Sequence, residues 1–347
     1  MPKTLTRRAL TQRALGAAAM SMPLAAPFVS RAEAAAPLML RCSLESDPSH
    51  PRNIVLRGLL AEIEKASDGR VKTRLFESGV LYPDLHVVKA VVQGQVEMAC
   101  PGTWTITGYV PDADFSELPA FYGRTIADVH KATDGVAGKF INAEITRKLH
   151  LQVLGGWLDL GFNNWFATHK KLTSLESLRD MKLRSPGGVL NSWRIRFMGG
   201  IPVVTPWPEV PLAMSQGNFD GLITSNESAN SSKLFDSGLR YSLQDDQAMA
   251  LYVPIMNGPF WRRLEPKLRE TILRLWHEHL PAYRALAGAS QQKARGALAR
   301  QGVGFVDVSQ AERDAVRAKM MPLQAKAAAS AHMSAALVKR VMTEIGA

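Results

Sequence analysis

A chain of 347 residues is longer than a single core usually supports, so two domains are expected. Its formal net charge of +11 fits attraction of small anions and, equally, of a nucleic-acid backbone. The pattern excludes the second partner: Lys267, Arg269, Arg274, Lys293 and Arg295 are scattered over Ala- and Leu-rich helical segments, and no nucleic-acid-binding motif accompanies them.

The chain opens with Thr6-Arg7-Arg8-Ala9-Leu10, a twin-arginine pattern. An apolar, Ala-rich run follows from Ala14 to Val29, and then the A-x-A site Ala32-Glu33-Ala34. Residues 1–34 read as an export signal cleaved after Ala34, which places the mature chain in the periplasm. The competing reading is an uncleaved membrane anchor. Pro23 and Pro27 interrupt the run, which is also short of the roughly 20 residues that span a bilayer. Lys3, Arg7, Arg8, Arg13 and Arg31 against Glu33 account for +4, so the mature chain carries +7.

Beyond residue 36 strand and helix patterns alternate. Leu38 to Ser43 is strand-like. Ile54 to Ala66 carries Ile54, Val55, Leu59, Leu60 and Ile63 at helical spacing and is stopped by Asp68-Gly69. Val71 to Phe76 is a strand, Leu85 to Gln93 a helix ending at Gly94, and Val96 to Cys100 a strand. The βαβαβ order implies parallel pairing with right-handed crossovers, and ligands of such sheets sit beyond the carboxyl ends of the strands. The loop Glu45 to His50 and the loop Pro101 to Trp104, with Gly102 and Thr103, are therefore candidate rims of a site.

The second half repeats the order. Thr173-Ser174-Leu175-Glu176 is a capping-box pattern opening a short helix. Lys182 to Arg184 begins a strand, Val189 to Met198 is helical before Gly199-Gly200, and Val203 to Thr205 is a short strand. Pro208 to Gln216 is a helix with Pro near its start and Gly217 after its end, and Phe219 to Thr224 is a strand. Ala248 to Asn257 reads as a strand, Leu264 to Gly302 as largely helical, and Val303 to Val308 as a strand. Ser309-Gln310-Ala311-Glu312 is a second capping box, opening C-terminal helices. No flexible linker separates the halves, so two lobes joined by strand crossovers are expected, crossing near Leu154 to Leu160 and near Gln247 to Tyr252.

The two cysteines, Cys42 and Cys100, fall in neighbouring strand patterns. An exported disulfide and two separate buried thiols are both compatible with that placement. No further ligands arrive at metal-binding spacing, and neither metal nor cofactor is expected.

The most informative stretch runs from Lys182 to Asp236: K-L-R-S-P, a Gly-Gly pair, T-P-W-P-E-V, G-N-F-D-G and S-S-K-L-F-D at fixed offsets. It resembles the ligand-binding core of the solute-binding subunits of tripartite ATP-independent periplasmic (TRAP) transporters, of the C4-dicarboxylate and sialic-acid type. The resemblance extends more weakly over nearly the whole mature chain. It implies an α/β, two-lobe periplasmic-binding-protein-like fold, each lobe a mixed, mainly parallel sheet flanked by helices, with the ligand cleft between them. Lobe I would comprise residues 35–158 plus about 248–285, and lobe II 159–247 plus about 286–347. Implied partners are a small organic acid and the transporter's membrane subunits, and a monomer is expected.

Arg184 stands where the family grips a substrate carboxylate. A guanidinium fork suits that task as lysine does not. The competing reading is a surface arginine paired with Asp180. Trp207, held between Pro206 and Pro208, stands where an aromatic packs on the ligand, with a core tryptophan as the alternative. Trp104, Trp157 and Trp165 read first as packing residues, although one of them could line the pocket. Asp220-Gly221 leads to Thr224, Ser225, Asn226 and Glu227. Thr224 occupies the position of a ligand-contacting asparagine in relatives, and Thr224 and Ser225 offer hydroxyls to a ligand or to a helix cap.

Asn164 lies twenty positions before Arg184, where some relatives carry a second arginine. An amide brings no charge, so a dicarboxylate or a sialic acid is disfavoured. The expected ligand is a monocarboxylate held by Arg184, Trp207, Asn164, Thr224 and Ser225, with Gly102, Thr103 and Glu45 from the facing rims. No common catalytic motif is present, and His277 and His279 lie on different faces of a helix. A non-enzymatic receptor is the expectation. A periplasmic lyase or isomerase on the same fold, or a receptor for a sensor kinase, are the alternatives.

Overall fold

The computed structural model describes residues 36–347; the twin-arginine pattern and cleavage site lie outside the described residues. The chain builds two mixed sheets linked by long crossing strands.

The first half begins with β1 (Leu38–Ser43), α1 (Pro51–Ala66), β2 (Val71–Phe76), α2 (Asp84–Val92), β3 (Met98–Ala99) and the short α3 (Thr103–Ile106). Helices α4 (Ile126–Thr133) and α5 (Val136–Leu149) follow, then β4 (Leu151–Val153). β1 pairs in parallel with both β2 and β3, as the βαβ order requires. Helix α1 starts three residues before its expected position because Pro51 fits the first turn and the His50 ring caps the Arg52 N–H. Its Val55, Leu56, Leu59, Leu60 and Ile63 are buried, whereas Ile54, expected on the same face, is exposed.

The second half contains β5 (Leu158–Ala167), β6 (Lys182–Ser185), α6 (Val189–Phe197), β7 (Ile201–Val204), α7 (Val210–Ser215), β8 (Gly221–Thr224), α8 (Asn226–Ser231) and β9 (Tyr241–Tyr252). After it come β10 (Ile255–Asn257), α9 (Gly258–Arg263), α10 (Pro266–Arg300), β11 (Gly304–Asp307), α11 (Gln310–Met320), α12 (Gln324–Ser330) and α13 (Ala335–Ile345). The strand orders are β2-β1-β3-β10-β4 and β11-β9-β5-β8-β6-β7.

Several expectations shift by a few residues. The strand read from Ala248 to Asn257 is two strands: β9 starts at Tyr241 and belongs to the second sheet, and only β10 joins the first. Val253 and Pro254 make the change of sheet, because Pro has no N–H to continue the ladder. The cap of the turn at 175–178 is Ser174 with Ser177 as its reciprocal partner, one position later than expected. The capping box of Ser309 and Glu312 opens α11 as expected.

Helix α10 runs unbroken for 35 residues, about 50 Å at 1.5 Å per residue. Its first half buries Leu268, Ile272, Trp276 and Leu280 in the core of the first sheet, and Leu298 near its end joins a core of the second. It is thus a strut across both lobes, and the boundary expected near 285 falls inside it. The C-terminal helices depart further from expectation: Ala327, Ala328, Leu337, Val341 and Ile345 pack with Val129, Ile141 and Ile145 of α4 and α5. Cys42 and Cys100 are buried free thiols in the core around α1, and burial pushes the Cys42 thiol up to about 12. Among the described residues no helix is long and apolar enough to cross a membrane.

Candidate functional site

The carboxyl ends of β1, β6 and β8 open onto one cleft enclosing about 360 Å³ of space, part of it continuous with solvent. Of the residues expected there, Glu45, Arg184, Trp207 and Thr224 line it. Ser46, Trp104, Asn163, Ser228 and Tyr252 join them.

Arg184 sits near the end of β6, paired with Val203 on one side and Leu222 on the other. It is 3% exposed, and its Nε donates to the Thr205 carbonyl at 3.0 Å. Its guanidinium carbon lies 5.2 Å from the centre of the Trp207 ring. Among the described residues no carboxylate is within ion-pair distance, Asp180 included, and neither Nη atom meets an acceptor. Burial lowers the Arg184 pKa to about 10, against the charges of Glu45 and Tyr252, which raise it. Burying a cation without a partner is costly, and a planar fork with two free edges matches a carboxylate.

Trp207 is 8% exposed in a tight turn between its two prolines, and its indole N–H donates to Ser232 Oγ at 3.1 Å. The Asp-Gly pair acts through the backbone. The Asp220 carboxylate accepts the Lys182 N–H at 2.7 Å, and a Cβ on Gly221 would meet the Phe166 carbonyl oxygen at 2.2 Å. Both features hold β8 tightly against β6 and β5, so that Thr224 ends at the cleft.

The facing wall comes from the first sheet. Arg52 is buried, with Nη1 donating to Asp84 Oδ2 at 2.8 Å and to the Cys100 carbonyl at 3.0 Å, and Nη2 to Ser46 Oγ at 2.6 Å. Its guanidinium stacks 3.9 Å from the centre of the Tyr252 ring. Glu45 accepts the Asp84 N–H at 2.8 Å. Burial, helped by the Asp84 charge and opposed by Arg52, lifts the Glu45 carboxyl to about 8. Glu45 is therefore mostly protonated at neutral pH, a neutral group able to donate or accept.

Four expected residues, Asn164, Gly102, Thr103 and Ser225, stand behind the lining. Asn164 is occupied: its Oδ1 accepts the Asp246 N–H at 2.9 Å and its Nδ2 donates to the Phe162 carbonyl at 3.3 Å. The register of β5 and β9 breaks between Asn163 and Trp165, and Asn164 spans that bulge. Asn163 faces the cleft instead, with a buried Nδ2 that has no protein partner. Gly102 and Thr103 support Trp104: a Cβ on Gly102 would meet the Trp104 ring at 2.3 Å, and Thr103 Oγ1 donates to Asp114 Oδ1 at 2.7 Å. Ser225 caps α8, accepting the Ser228 N–H. Trp157 and Trp165 are fully buried core residues. Among the described residues no group of three His, Cys, Asp or Glu side chains is placed to hold a metal ion.

The missed lining residues carry weak sequence signals. Tyr252 lies at the end of a crossing strand and Ser228 inside a polar helix, while Trp104 is the one of the three open tryptophans that lines the pocket.

The model for bacterial extracellular solute-binding proteins, family 7, matches residues 43–331. The C4-dicarboxylate-binding periplasmic protein of Rhodobacter capsulatus is 25% identical over 322 residues, covering 92% of this chain and 93% of that protein. Among solved structures, the sugar-acid-binding protein of Advenella mimigardefordensis in complex with galactonate superposes with a TM-score of 0.83 at 19% identity, covering 90% of this chain and 98% of that one. A TRAP periplasmic solute-binding protein of Sulfurospirillum deleyianum with bound succinate gives 0.80 at 20% identity, covering 88% and 99%. An unpaired arginine fork in a cleft between two lobes, on a chain matched over most of its length, leads to one conclusion: this protein belongs to the bacterial extracellular solute-binding proteins, family 7.

Proposed function

We propose that the protein captures a small monocarboxylic acid bearing hydroxyl or keto oxygens in the periplasm and presents it, chemically unchanged, to the membrane subunits of a TRAP transporter. One observation carries this reading: Arg184 is the sole cation among the described residues lining the cleft, and its fork has no protein carboxylate. Arg52, the neighbouring cation, is already committed to Asp84 and Ser46.

A ligand carboxylate would pair with the two free Nη groups of Arg184, with Trp207 as an apolar wall. The remaining groups, Glu45, Ser46, Asn163 Nδ2, Thr224 and Ser228, suit oxygens without charge. A second carboxylate would be desolvated beside Glu45 with no cation to meet it, and such burial is unfavourable by several kcal/mol, roughly. The relatives bracket the choice: galactonate is a polyhydroxylated monocarboxylate, and succinate has two carboxylates and no hydroxyl.

A thermal-shift panel of D-galactonate, D-lactate, pyruvate and benzoate against succinate and malate tests the proposal. A ligand that binds only the folded state raises its stability by mass action. At least one monocarboxylate should raise Tm more than either dicarboxylate at equal concentration, and mass spectrometry should recover it unaltered. Stabilisation by succinate alone would overturn the charge count; conversion of the ligand would overturn the receptor reading.

A further inference from the structure

Helix α8 carries two serine hydroxyls that reach across the cleft. Ser228 lies within it and Ser232 is its C-cap, four positions on and so on the same side. Both meet one segment of the first lobe, the loop from Asp47 to His50 that leads into α1. Ser232 Oγ donates to Asp47 Oδ2, and Ser228 Oγ is 3.3 Å from His50 Nε2.

The donor directions follow from chemistry. The indole N–H of Trp207 can only donate, so Ser232 Oγ accepts from it and sends its own hydrogen to Asp47. His50 Nδ1 accepts the Arg52 N–H at 3.2 Å, which leaves Nε2 as the protonated nitrogen of a neutral ring, donating to Ser228. Burial, with the neighbouring Arg52 charge, holds His50 down to about 3, so the ring stays neutral over the physiological range.

The tryptophan turn touches the first lobe a second time. A Cβ on Gly79 would lie 2.6 Å from Pro208 Cγ, so the residue after Trp207 rests directly on the Gly79 backbone, which has a φ of +69°. From Asp47 through Ser232 to Trp207 and on to Arg184, 5.2 Å from the indole centre, the contacts run unbroken from one lobe to the carboxylate anchor of the other.

We propose that Ser232 is a positioning residue: its hydroxyl is a closure clasp that orients Trp207 against the bound acid only when Asp47 of the facing lobe docks on it. The proposal rests on the cleft being the ligand site. Opening the lobes removes Asp47, frees the Ser232 hydroxyl to rotate, and leaves the indole N–H without a fixed acceptor. The clasp therefore acts after the ligand has entered, and its signature is slow release rather than fast capture.

Stopped-flow kinetics test this, using the panel monocarboxylate that stabilises the wild type most. Ser232→Ala should raise the dissociation rate about tenfold, the scale of one hydrogen bond to a charged group, with the association rate within about twofold. Asp47→Ala should do the same, and the double variant should be no worse than the stronger single, because both changes break one bond. Ser232→Thr, which keeps the hydroxyl, should restore slow release. A general packing role would give additive losses and no rescue, and unchanged dissociation in Ser232→Ala would overturn the clasp.

A second arm is run with and without the panel acids. Asp47→Cys combined with Ser232→Cys should form a disulfide under mild oxidation, since the two positions meet on closure. Failure to cross-link would overturn the contact. Cross-linking with no acid bound from the panel would refute the ligand assignment and leave the contact standing.

Discussion

The two walls of the cleft each bury an arginine, and the two side chains are treated in opposite ways. Arg52 on the first wall spends its Nη donors on Asp84, the Cys100 carbonyl and Ser46. Arg184 on the second has one bond, from Nε to Thr205, and keeps both Nη edges open toward the cleft. Arg194, buried on α6 and bound to both the carboxylate and the carbonyl of Glu117, follows the pattern of Arg52. A buried charge that the protein satisfies itself holds structure together; one left open is available to something the protein binds. Burial depth alone would not separate them, since all three are at most 3% exposed.

The largest test of this contrast is Arg52→Met. It strands Asp84 in the core without its cation, so urea unfolding should show a loss of about 3–5 kcal/mol. Arg184→Ala should leave the unfolding midpoint of the ligand-free protein unchanged or raised, because an uncompensated charge has been removed. Calorimetry on that variant should show binding weakened by about 2–5 kcal/mol. If both variants lost stability alike, the distinction between a satisfied and an open arginine would fail.

The two adjacent asparagines repeat the contrast at smaller scale. Asn164→Ala should cost about 1–3 kcal/mol of stability, because the Asp246 N–H in the bulge of β9 loses its acceptor. Asn163→Ala should leave stability nearly unchanged and weaken ligand affinity by about 1 kcal/mol, the net value of one hydrogen bond. Reversed outcomes would return Asn164 to the site.

The smallest effect is the pH dependence set by Glu45. Its carboxyl is raised from 4.5 to about 8, so the folded protein holds that proton more tightly than the unfolded chain. Its contribution is fully present below pH 4.5 and is lost as pH rises through about 8. Asp114 and Asp245, raised by burial to about 8 and about 7, act with the same sign, so Glu45→Gln should flatten only part of the decline in Tm across this window. In the wild type, affinity for the acid should fall above pH 8 as ionised Glu45 comes to face the ligand anion. The Gln variant should lack that fall, and equal pH profiles would remove Glu45 from contact.

Local features of the sequence carried much of the architecture. Period-3.6 and strand-like runs, the Ser309 capping box and the βαβ order led to two mixed sheets, because these signals depend on neighbours only a few residues apart. Glu45 was traceable to the cleft because its loop follows the carboxyl end of a strand, where α/β sheets open, whereas Arg184, Trp207 and Thr224 were placed there by their resemblance to the family's binding core. Long-range packing decided the rest. The bulge opposite Asp246 turned Asn163 rather than Asn164 to the cleft, a one-residue change that no pattern within β5 reveals. The C-terminal helices crossed to pack on α4 and α5, and α10 passed through both cores, because apolar faces are buried wherever complementary surface is available, irrespective of distance along the chain. Sequence by itself determined which residues bring charge, hydroxyls and aromatic surface. Only the tertiary structure decided which of those charges are already answered, since pairing Arg52 with Asp84 and leaving Arg184 open depends on groups that approach from separate elements of the fold.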